Sequence, residues 1–550
     1  MGKVDAAALK RAGLPVDLDR LTVEGDAWLG DEQRLALKKH GVCSQGQPGV
    51  FMIRIRTSGG AVDAAAARGL ADLAEQRGGG WIHLTTRQQV ELHHVAARDV
   101  TSVLAAVDRL GLTTSSTCGH TLRGVMSCPD AGASLDEPFD CYPDARATSD
   151  SIMARTPQLN YRLPQRVNMA FGGCRSCRDH ARTNEAGFVS TVGADGTLGY
   201  ELWLGGSLGK SAPVLAERAL EFAPRTHVLA AANALVDVFV EHGNFEQPTR
   251  ARLKYLIGDV GFNDFLELFD EAYRRRRTEA WPAPVPVTGP DPARHAEVLA
   301  QVPPGGWSSG VRPQRTPGRA LVTVTVPLGD LDSADLRTLA DLAEEVGDGR
   351  LYLTRNQNAM LRDVPLASVP RVRARLAEAA LDVVGADQSS DVRVCTGGPV
   401  CSLAITPATA VGAELLTSPA VRRNTGLRIH VSGCNNGCAQ HQIADLGFSG
   451  SKITIGGRPT LGYQVWVGGD PGAGRVGSVV GRVAHTDVVA IAEAVVGVWE
   501  ALRTAGETLP QLVERLAADP LASHIAAVFS GRWEPGPEPD PAHLPGPAID

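Results

Sequence analysis

An internal repeat constrains the fold of this chain more than any other feature of its sequence. The segment LADLAEQRGGGWIHLTTRQQVELHHV, Leu70 to Val95, aligns without a gap to LADLAEEVGDGRLYLTRNQNAMLRDV, Leu339 to Val364. Each copy predicts a helix, a glycine-bearing turn and a strand with alternating apolar positions. A strand is predicted before each copy, and an amphipathic helix after it, over Val100–Leu110 and Ser368–Leu381. Both units therefore predict the order β-α-β-α.

The repeat continues further along both halves of the chain. FGGCRSCRDHARTNEAGFVS, from Phe171 to Ser190, matches VSGCNNGCAQHQIADLGFSG, from Val431 to Gly450. LGYELWLGGSLG and LGYQVWVGGDPG follow these two blocks in the same order. We therefore expect a tandem duplication whose halves pack about a pseudo-two-fold axis. The period is far too long for a solenoid of short stacked repeats.

Length and composition bound the class of protein. A chain of 550 residues predicts two to four domains. The net charge of -7 argues against nucleic acid as the main partner. No apolar run approaches the roughly 18 residues that a membrane span needs, and the first residues lack the apolar core of a signal peptide. We expect a cytoplasmic protein, in which clustered cysteines bind metal or do redox work rather than form disulfides.

Four cysteines of the second half have the spacing of metal ligands. Cys395 and Cys401 lie in VCTGGPVCSLAI, and Cys434 and Cys438 lie in SGCNNGCAQHQ. Four thiolates suit zinc or an iron–sulfur cluster. Zinc knuckles more often use C-x2-C, so these spacings of five and three residues favour iron–sulfur. The alternative is four buried structural thiols, but two spaced pairs in glycine-rich loops make it the weaker interpretation.

The pattern CTGGPVCSLAI … SGCNNGCAQHQIADLGF resembles the sirohaem and [4Fe-4S] nitrite/sulfite reductases. Further similar blocks occur in order: FMIRIRTSGG, LTTRQQVELHH, CGHTLRGVMSCPDAG, TRARLKYLIGDVGF, GWSSGVRPQRTPG and LTRNQN. The resemblance implies an α+β, tandem-duplicated, pseudo-two-fold fold with ferredoxin-like half-domains and two sirohaem/cluster α/β domains. The expected parts are an N-terminal arm at 1–45, half-domain 1 at 46–115, a sirohaem/substrate domain at 116–290, half-domain 2 at 305–385, a cluster/sirohaem domain at 386–530 and a disordered tail at 534–550.

The resemblance also implies the cofactors, the substrate class and the electron donor. The four cysteines would bind a [4Fe-4S] cluster, and Cys438 would bridge cluster and sirohaem iron. The pair suits a six-electron reduction of sulfite to sulfide or of nitrite to ammonia, fed one electron at a time. Since no flavin or nicotinamide fingerprint is evident, we expect a ferredoxin-like donor. We also expect a monomer that binds neither nucleic acid nor membrane.

Cations are the expected partners of a small oxyanion and of sirohaem carboxylates. The resemblance places Arg54 and Arg123 at the substrate. It places sirohaem contacts at Thr85, Arg87, Gln88, Asn356, Gln357 and Asn358. Without the resemblance, Arg54 in FMIRIR would be interpreted as the solvated face of a strand.

The chain departs from the family pattern near the substrate. Where the family usually carries two lysines in an R-K-F-K-like strand, this chain has Arg166 and Asn168 in LPQRVNMAF. Arg keeps the charge but does not readily donate a proton, and Asn removes a cation. His83 stands where an Arg commonly meets a sirohaem carboxylate. The substrate cage is therefore expected to be less positive than usual.

The first half has cysteines of its own, at Cys118, Cys128, Cys174 and Cys177. Their spacings differ from those of the second half, and the family's first half lacks a cluster. We expect relics of the duplication or small buried residues rather than a second cluster. Cys43 and Cys118 flank strands that the resemblance places at the haem edge.

A basic run, YRRRRTEAW from Tyr273 to Trp281, allows two interpretations. It would dock an acidic ferredoxin, or it is a solvated helix end whose cations complement the helix dipole. The second is favoured.

The leading functional prediction is a ferredoxin-type sulfite reductase, with assimilatory nitrite reduction as the alternative. A second alternative is a monooxygenase like precorrin-3B synthase, which resembles the same superfamily, and the altered lysine pair favours it. The intact Arg54 and Arg123 and the CAQHQIADLGF block argue against it. A non-enzymatic zinc protein with four thiolate ligands is the remaining class.

Overall fold

The structure of the chain is a computed structural model, and it describes residues 5–159, 162–209, 212–287, 310–423, 425–455, 458–528 and 534–535. Part of the predicted interdomain linker at 279–295 and most of the predicted tail lie outside these residues. The chain divides into two compact units, one of Met1–Ser207 with Leu215–Ala386 and one of Leu208–Val214 with Asp387–Asp550. Within the described ranges, every helix is too short or too polar to span a bilayer.

Helices and strands are mixed along the whole chain, which gives the predicted α+β class. The strands are β1 Val42–Ser44, β2 Val50–Ile55, β3 Ala61–Asp63, β4 Trp81–Leu84, β5 Val90–Ala96, β6 Met169–Gly172, β7 Ala186–Val192, β8 Leu198–Leu204, β9 Glu217–Pro224, β10 Val311–Pro313, β11 Arg319–Val324, β12 Asp330–Asp332, β13 Arg350–Leu353, β14 Ala359–Pro365, β15 Arg393–Val394, β16 Ile429–Ser432, β17 Leu446–Ile455, β18 Arg458–Val467, β19 Ser478–Ala484 and β20 Glu534–Pro535. The α-helices of the first unit are Ala6–Arg11, Leu18–Glu24, Asp31–Leu37, Ala64–Arg77, Val100–Arg109, Tyr142–Ala154, Thr156–Leu159, Arg175–Ala181, Val228–His242, Leu253–Val260, Phe262–Arg277, Ser333–Val346 and Val369–Glu378. Those of the second unit are Ala408–Leu415, Pro419–Arg422, Val488–Leu502, Leu509–Leu516 and Ala518–Val528.

The two repeats of the first unit exchange an edge strand. Their sheets have the orders β1-β2-β5-β4-β12 and β10-β11-β14-β13-β3. β12 pairs antiparallel with β4, with Leu331 opposite Ile82, although β12 belongs to the second repeat. β3 of the first repeat pairs in the same way with β13, with Val62 opposite Leu351. Each sheet is therefore completed by a strand of the other repeat, as expected of two repeats related by a pseudo-two-fold axis.

One apolar core serves both repeats. Helices Ala64–Arg77 and Ser333–Val346 pack against each other, and their inner residues, such as Leu70 and Leu339, are buried in the same cluster as the strands of both sheets. Leu21 and Leu37 of the N-terminal helices belong to this cluster too. The N-terminal segment is thus packed onto the duplicated body.

The prediction of a single strand after each repeat helix is wrong. The structure has two strands instead, β4–β5 and β13–β14, each pair joined by a tight turn. Gln88 and Gln357 occupy the same place in the two turns, with φ of 55° and 63°. These left-handed residues reverse the chain within what the alternating pattern presents as one strand.

Two further sheets carry the second block of the duplication. In the first unit the order is β6-β7-β8-β9, with β6 parallel to β7 and the rest antiparallel. In the second unit the order is β15-β16-β17-β18-β19-β20, with β16 parallel to β17. The parallel step places the cysteine-bearing loops after β6 and after β16 at equivalent points of the two sheets.

Candidate active site and metal centre

The four predicted cluster cysteines lie on two neighbouring loops of the second unit. Cys395 directly follows β15 and Cys434 lies just beyond β16, and because these strands pair in parallel, both loops leave the sheet at the same edge. Gly433 N donates a hydrogen bond to Cys395 Sγ over 3.1 Å, which ties the two loops together. Cys401 is partly buried, whereas Cys438 is the exposed member of the set.

Burial and neighbouring sulfurs raise the pKa of two of the four thiols. Burial, and then the charge of Cys438, raises the pKa of Cys395 well above its ordinary range. Burial raises the pKa of Cys434 to about 11, and the charges of Cys438 and Cys401 act in the same direction. Thiols in such surroundings ionise when a cation takes up their charge.

The donor set fits the cluster. Four thiols on glycine-bearing loops match the ligands of a [4Fe-4S] centre. Gly437, with φ of 67°, lies between two of them, and a Cβ there would stand 2.6 Å from the amide nitrogen of Gln442. The exposed position of Cys438 suits a sulfur that serves a second centre as well.

The first unit gathers the predicted cationic residues around Arg87. Burial, and then the positive charges of Arg123, Arg166, Arg54 and Arg252, lower the pKa of Arg87 well below its ordinary value. Burial likewise lowers the pKa of Arg123, to about 10. Guanidinium groups held this close to one another favour an anion among them.

Arg54 and Arg123 are held in different ways. Arg54 Nε donates to Glu91 Oε1 at 3.0 Å, and the pair forms an ion pair in which the Glu91 side chain is 8% exposed. Arg123 instead donates to backbone carbonyls, those of Thr117 and, at 3.0 Å, Gly119. The hydrogen bonds of Arg123 thus go to uncharged groups, whereas the charge of Arg54 is offset by a buried carboxylate.

Arg166 and Asn168 lie in the same group. The guanidinium of Arg87 donates to Asn168 Oδ1, and Asn168 Nδ2 donates to Glu185 Oε2 at 2.7 Å. The amide of Asn168 therefore links a cation to a buried carboxylate. The positive charge of Arg166 is one of those that lower the pKa of Arg87.

Sequence reasoning missed Glu185, Arg252 and Lys254. Arg252 Nε donates to Glu185 Oε1 at 2.9 Å, and both residues are buried. Burial, and then the charge of Arg252, lowers the pKa of Lys254 to about 7. The signal was present in TRARLKYLIGDVGF, where two cations stand one residue apart before an apolar run, but their convergence on the Asn168 region depends on tertiary structure.

The predicted sirohaem contacts lie in the two equivalent turns of the duplicated repeats. Thr85 Oγ1 accepts from Gln89 N at 3.0 Å and so shapes the first turn. Gln88 Nε2 donates to Leu353 O and Gln357 Nε2 donates to Leu84 O, both over 2.8 Å.

The side chain of Asn358 is also bonded to the backbone. Asn358 Oδ1 accepts from Val326 N at 2.9 Å. Gln88, Gln357 and Asn358 are each 1% exposed, whereas Asn356 is partly exposed. The turns therefore differ in what they offer: buried amides bonded to the backbone, and the more outward Arg87 and Asn356.

Two other predicted positions have protein partners. His83 Nδ1 lies 2.6 Å from Asp330 Oδ1 on the exchanged strand β12. Burial alone would lower the pKa of His83, but the hydrogen bond and charge of Asp330 outweigh it and the pKa is raised. Cys43 and Cys118 share a hydrogen bond, which with the charges of Arg54 and Arg123 lowers the pKa of Cys118.

The basic run ends helix Phe262–Arg277. Three of its arginines have acidic partners, among them Arg276, which pairs with Asp237 at 2.6 Å, and Arg274, which pairs with Asp270 at 2.9 Å. The local pairing agrees with the interpretation as a solvated helix end.

Two family models match the chain in alternating segments. The "Nitrite and sulphite reductase 4Fe-4S domain" matches residues 118–276 and 387–530. The "Nitrite/Sulfite reductase ferredoxin-like half domain" matches residues 44–110 and 312–379. The matched segments follow the order of the duplication in the chain.

Individual relatives include proteins of both substrate classes. The assimilatory ferredoxin-dependent nitrite reductase of Haloferax mediterranei is 28% identical over 549 residues, covering 93% of this chain and 91% of that protein. The sulfite reductase [ferredoxin] of Mycobacterium tuberculosis is 30% identical over 439 residues, covering 77% and 75%. The structure of the Mycobacterium tuberculosis NirA protein superposes with a TM-score of 0.79 at 25% identity, covering 95% of this chain and 98% of that one.

Proposed function

This chain belongs to the nitrite and sulphite reductase family, an oxidoreductase family with sirohaem and a [4Fe-4S] cluster, and we propose that it reduces sulfite to sulfide with six electrons from a ferredoxin. The observation that carries the choice of substrate is the group of four arginines around Arg87 in the first unit. Near neutral pH sulfite is a mixture of singly and doubly charged anions, whereas nitrite carries a single charge, so sulfite gains more than nitrite from a concentrated positive field.

Cys395, Cys401, Cys434 and Cys438 are the proposed ligands of the cluster. The bound cofactors supply electron storage and transfer to the iron at which the oxyanion is reduced. Cys438 is proposed as the shared ligand because it is the exposed sulfur of the four. The burial of Cys434 and the hydrogen bond from Gly433 to Cys395 hold the two loops in place.

Arg54 and Arg123 are the proposed oxyanion ligands, with Arg166 and Asn168 beside them. Arg123 supplies a positive charge, and its hydrogen bonds go to neutral carbonyls rather than to a carboxylate. Arg54 is oriented by Glu91. Each guanidinium can present a planar pair of N–H donors to an oxyanion.

Lys254 is the proposed proton donor. Reduction to sulfide consumes protons, and the Arg and Asn that stand in place of the usual lysines donate them poorly. A lysine whose pKa lies at about 7 releases a proton readily near neutral pH. Lys254 would thus compensate for the altered strand that bears Arg166 and Asn168.

The two equivalent turns are the proposed sirohaem-binding elements. Thr85, Gln88, Gln357 and Asn358 would shape and lock the turns, because their side chains bond to backbone groups. Arg87 would meet a carboxylate of the macrocycle, with Asn356 at the equivalent point of the other turn.

Nitrite is a second candidate substrate for a specific reason. Asn168 stands where the family usually places a cation, which favours an anion of lower charge. The relative from Haloferax mediterranei, which covers 93% of this chain, is named a nitrite reductase.

Turnover with reduced ferredoxin, and separately with reduced methyl viologen, tests the proposal. We expect kcat/KM for sulfite to exceed that for nitrite by about tenfold or more, with sulfide as the product. A reversed ratio, with ammonia as the product, would establish the nitrite alternative. Oxidation of a precorrin without reduction of either anion would place the chain with the oxygenases.

A further inference from the structure

Three buried cysteines of the first unit converge on one point. The sulfur ligand atoms of Cys128, Cys174 and Cys177 all lie within 4.8 Å of one another, and Cys128 Sγ is 3.3 Å from Cys174 Sγ. All three residues are at most 2% exposed. Cys128 comes from the loop after the Met126–Ala170 bridge, whereas Cys174 and Cys177 begin helix Arg175–Ala181. Two separate segments thus deliver three thiols to one site.

The spacing of these sulfurs fits a single ion. A tetrahedral zinc with Zn–S bonds of about 2.3 Å holds its sulfurs about 3.8 Å apart. A disulfide would join only two of the three. In the described part of the chain the four cysteines of the second unit do not form such a tight group, as expected of thiols that surround four irons rather than one ion. We propose that Cys128, Cys174 and Cys177 bind one thiophilic divalent cation, of which Zn²⁺ is the commonest.

The duplication explains why ligands stand at these positions. Met126 pairs in parallel with Ala170, and Arg393 pairs in parallel with His430 at the equivalent place in the second unit. Counting two residues on from the first partner of each pair gives Cys128 and Cys395. Counting four on from the second gives Cys174 and Cys434. The first copy therefore carries sulfurs where the second carries cluster ligands, but closes them around a smaller centre.

The surroundings balance the charge of such a site. Three thiolates and one dication leave one negative charge, and Arg355 Nη2 lies 3.3 Å from Cys177 Sγ. Binding releases the three thiol protons to solvent and changes no oxidation state.

Two oxygen donors are within reach for the fourth position. Ser176 Oγ and Asp130 Oδ2 lie 3.2 Å and 3.7 Å from Cys174 Sγ. Asp130 is held in place by a bidentate ion pair with Arg312. The site therefore ties a loop to the start of a helix, and its role is structural.

Metal analysis of the complete, dialysed enzyme tests the assignment. We expect about one zinc per chain beside about five irons, four from the cluster and one from sirohaem. X-ray absorption at the zinc edge should show three sulfur neighbours at about 2.3 Å. Cys174→Ala and Cys177→Ser should lose the zinc and keep the iron. Cys141→Ala, which removes a buried thiol outside the trio, should keep both metals.

Three results would overturn the site. They are zinc below about a tenth of an equivalent after growth with added zinc, an iron count of about nine, and a mass lower by two hydrogens that maps a disulfide to Cys128 and Cys174. The X-ray absorption spectrum at the zinc edge of the unaltered enzyme tests the site by itself. The assignment can therefore be decided even if the cysteine variants fail to fold. The metal count is independent of which oxyanion the enzyme reduces.

Discussion

Arg123 is a buried cation whose hydrogen bonds go to the neutral carbonyls of Thr117 and Gly119. Replacing it with alanine removes one of the positive charges around Arg87. We expect Arg123→Ala to lower kcat/KM for the oxyanion by about 10²-fold, with the haem absorption spectrum retained. Steady-state kinetics and a visible spectrum measure both effects. Arg109→Ala, on the exposed side of its helix, is the control, and equal turnover in the two variants would remove Arg123 from the site.

Lys254 should impose a pH dependence on turnover. Its pKa of about 7 means that the ammonium form, which donates the proton, predominates below that pH and is lost above it. The rate should therefore fall as the pH rises through about 7. Lys254→Arg keeps the charge but not the proton transfer, so we expect a lower rate and a flatter profile between about pH 6 and 8. Lys452→Arg at an exposed position should leave the profile unaltered, and an unaltered profile in Lys254→Arg would exclude the donor role.

Cys438 is the cysteine whose replacement by an oxygen ligand should lower the activity most. We expect Cys438→Ser to abolish nearly all activity, because a shared thiolate ligand couples the two centres. Electron paramagnetic resonance of the reduced enzyme would report the loss of coupling. Normal turnover in this variant would refute a bridging role.

At the scale of single residues, sequence reasoning found the groups whose type carries the chemistry, such as Arg54 and the cluster cysteines. It did not find Glu91 or Glu185, which pair with arginines that lie 37 and 67 positions away in the chain. Such pairings follow from strand register and loop packing, which no local pattern contains. The same reason hid the convergence of Cys128 with Cys174.

The equivalent turns of the two repeats lock each other by reciprocal hydrogen bonds. Gln88 donates across to Leu353 O, and Gln357 donates across to Leu84 O. Helices Ala64–Arg77 and Ser333–Val346 repeat this symmetry at the surface, where Arg68 pairs with Asp341 and Arg337 with Asp72. The exposed ion pairs contribute little to stability, whereas the buried amides contribute more.

The buried amides predict matched losses of stability. Gln88→Ala and Gln357→Ala each leave a buried carbonyl without its donor and should each lower the free energy of unfolding by about 1–3 kcal/mol. Urea denaturation followed by tryptophan fluorescence measures the change. Asp108→Asn, on an exposed helix face, should lie within about 0.5 kcal/mol of the parent. An effect no larger than this control in both glutamine variants would contradict the interlocking role.

Element types were predictable because periodicity is local, as with the helices after each repeat. The division of each predicted strand into two was not predictable. The apolar positions before and after the left-handed turn at Gln88 alternate in the same phase, so the pattern looks like that of one strand. The exchange of β3 and β12 was hidden as well. Strands of three residues carry too little pattern to reveal their partners.

For the whole molecule, the exchange implies that the first half is not an independent folding unit. A fragment of residues 1–290 lacks β12 at the edge of its sheet and half of the shared core. We expect it to be insoluble alone and soluble when coexpressed with residues 291–550. Soluble yield and size-exclusion chromatography measure this. A cooperative, soluble fragment 1–290 by itself would show that the exchanged strand is dispensable.

The strand exchange also means that β4 is synthesised long before its partner β12. β4 leaves the ribosome with an unpaired edge, and its partner β12 follows about 250 residues later. At about 5–20 residues per second, that edge waits for roughly 12–50 s. An open edge is a template for wrong pairing. The open edge of β4 in the nascent chain therefore has to be shielded from wrong pairing until the second repeat is synthesised, unless translation is fast.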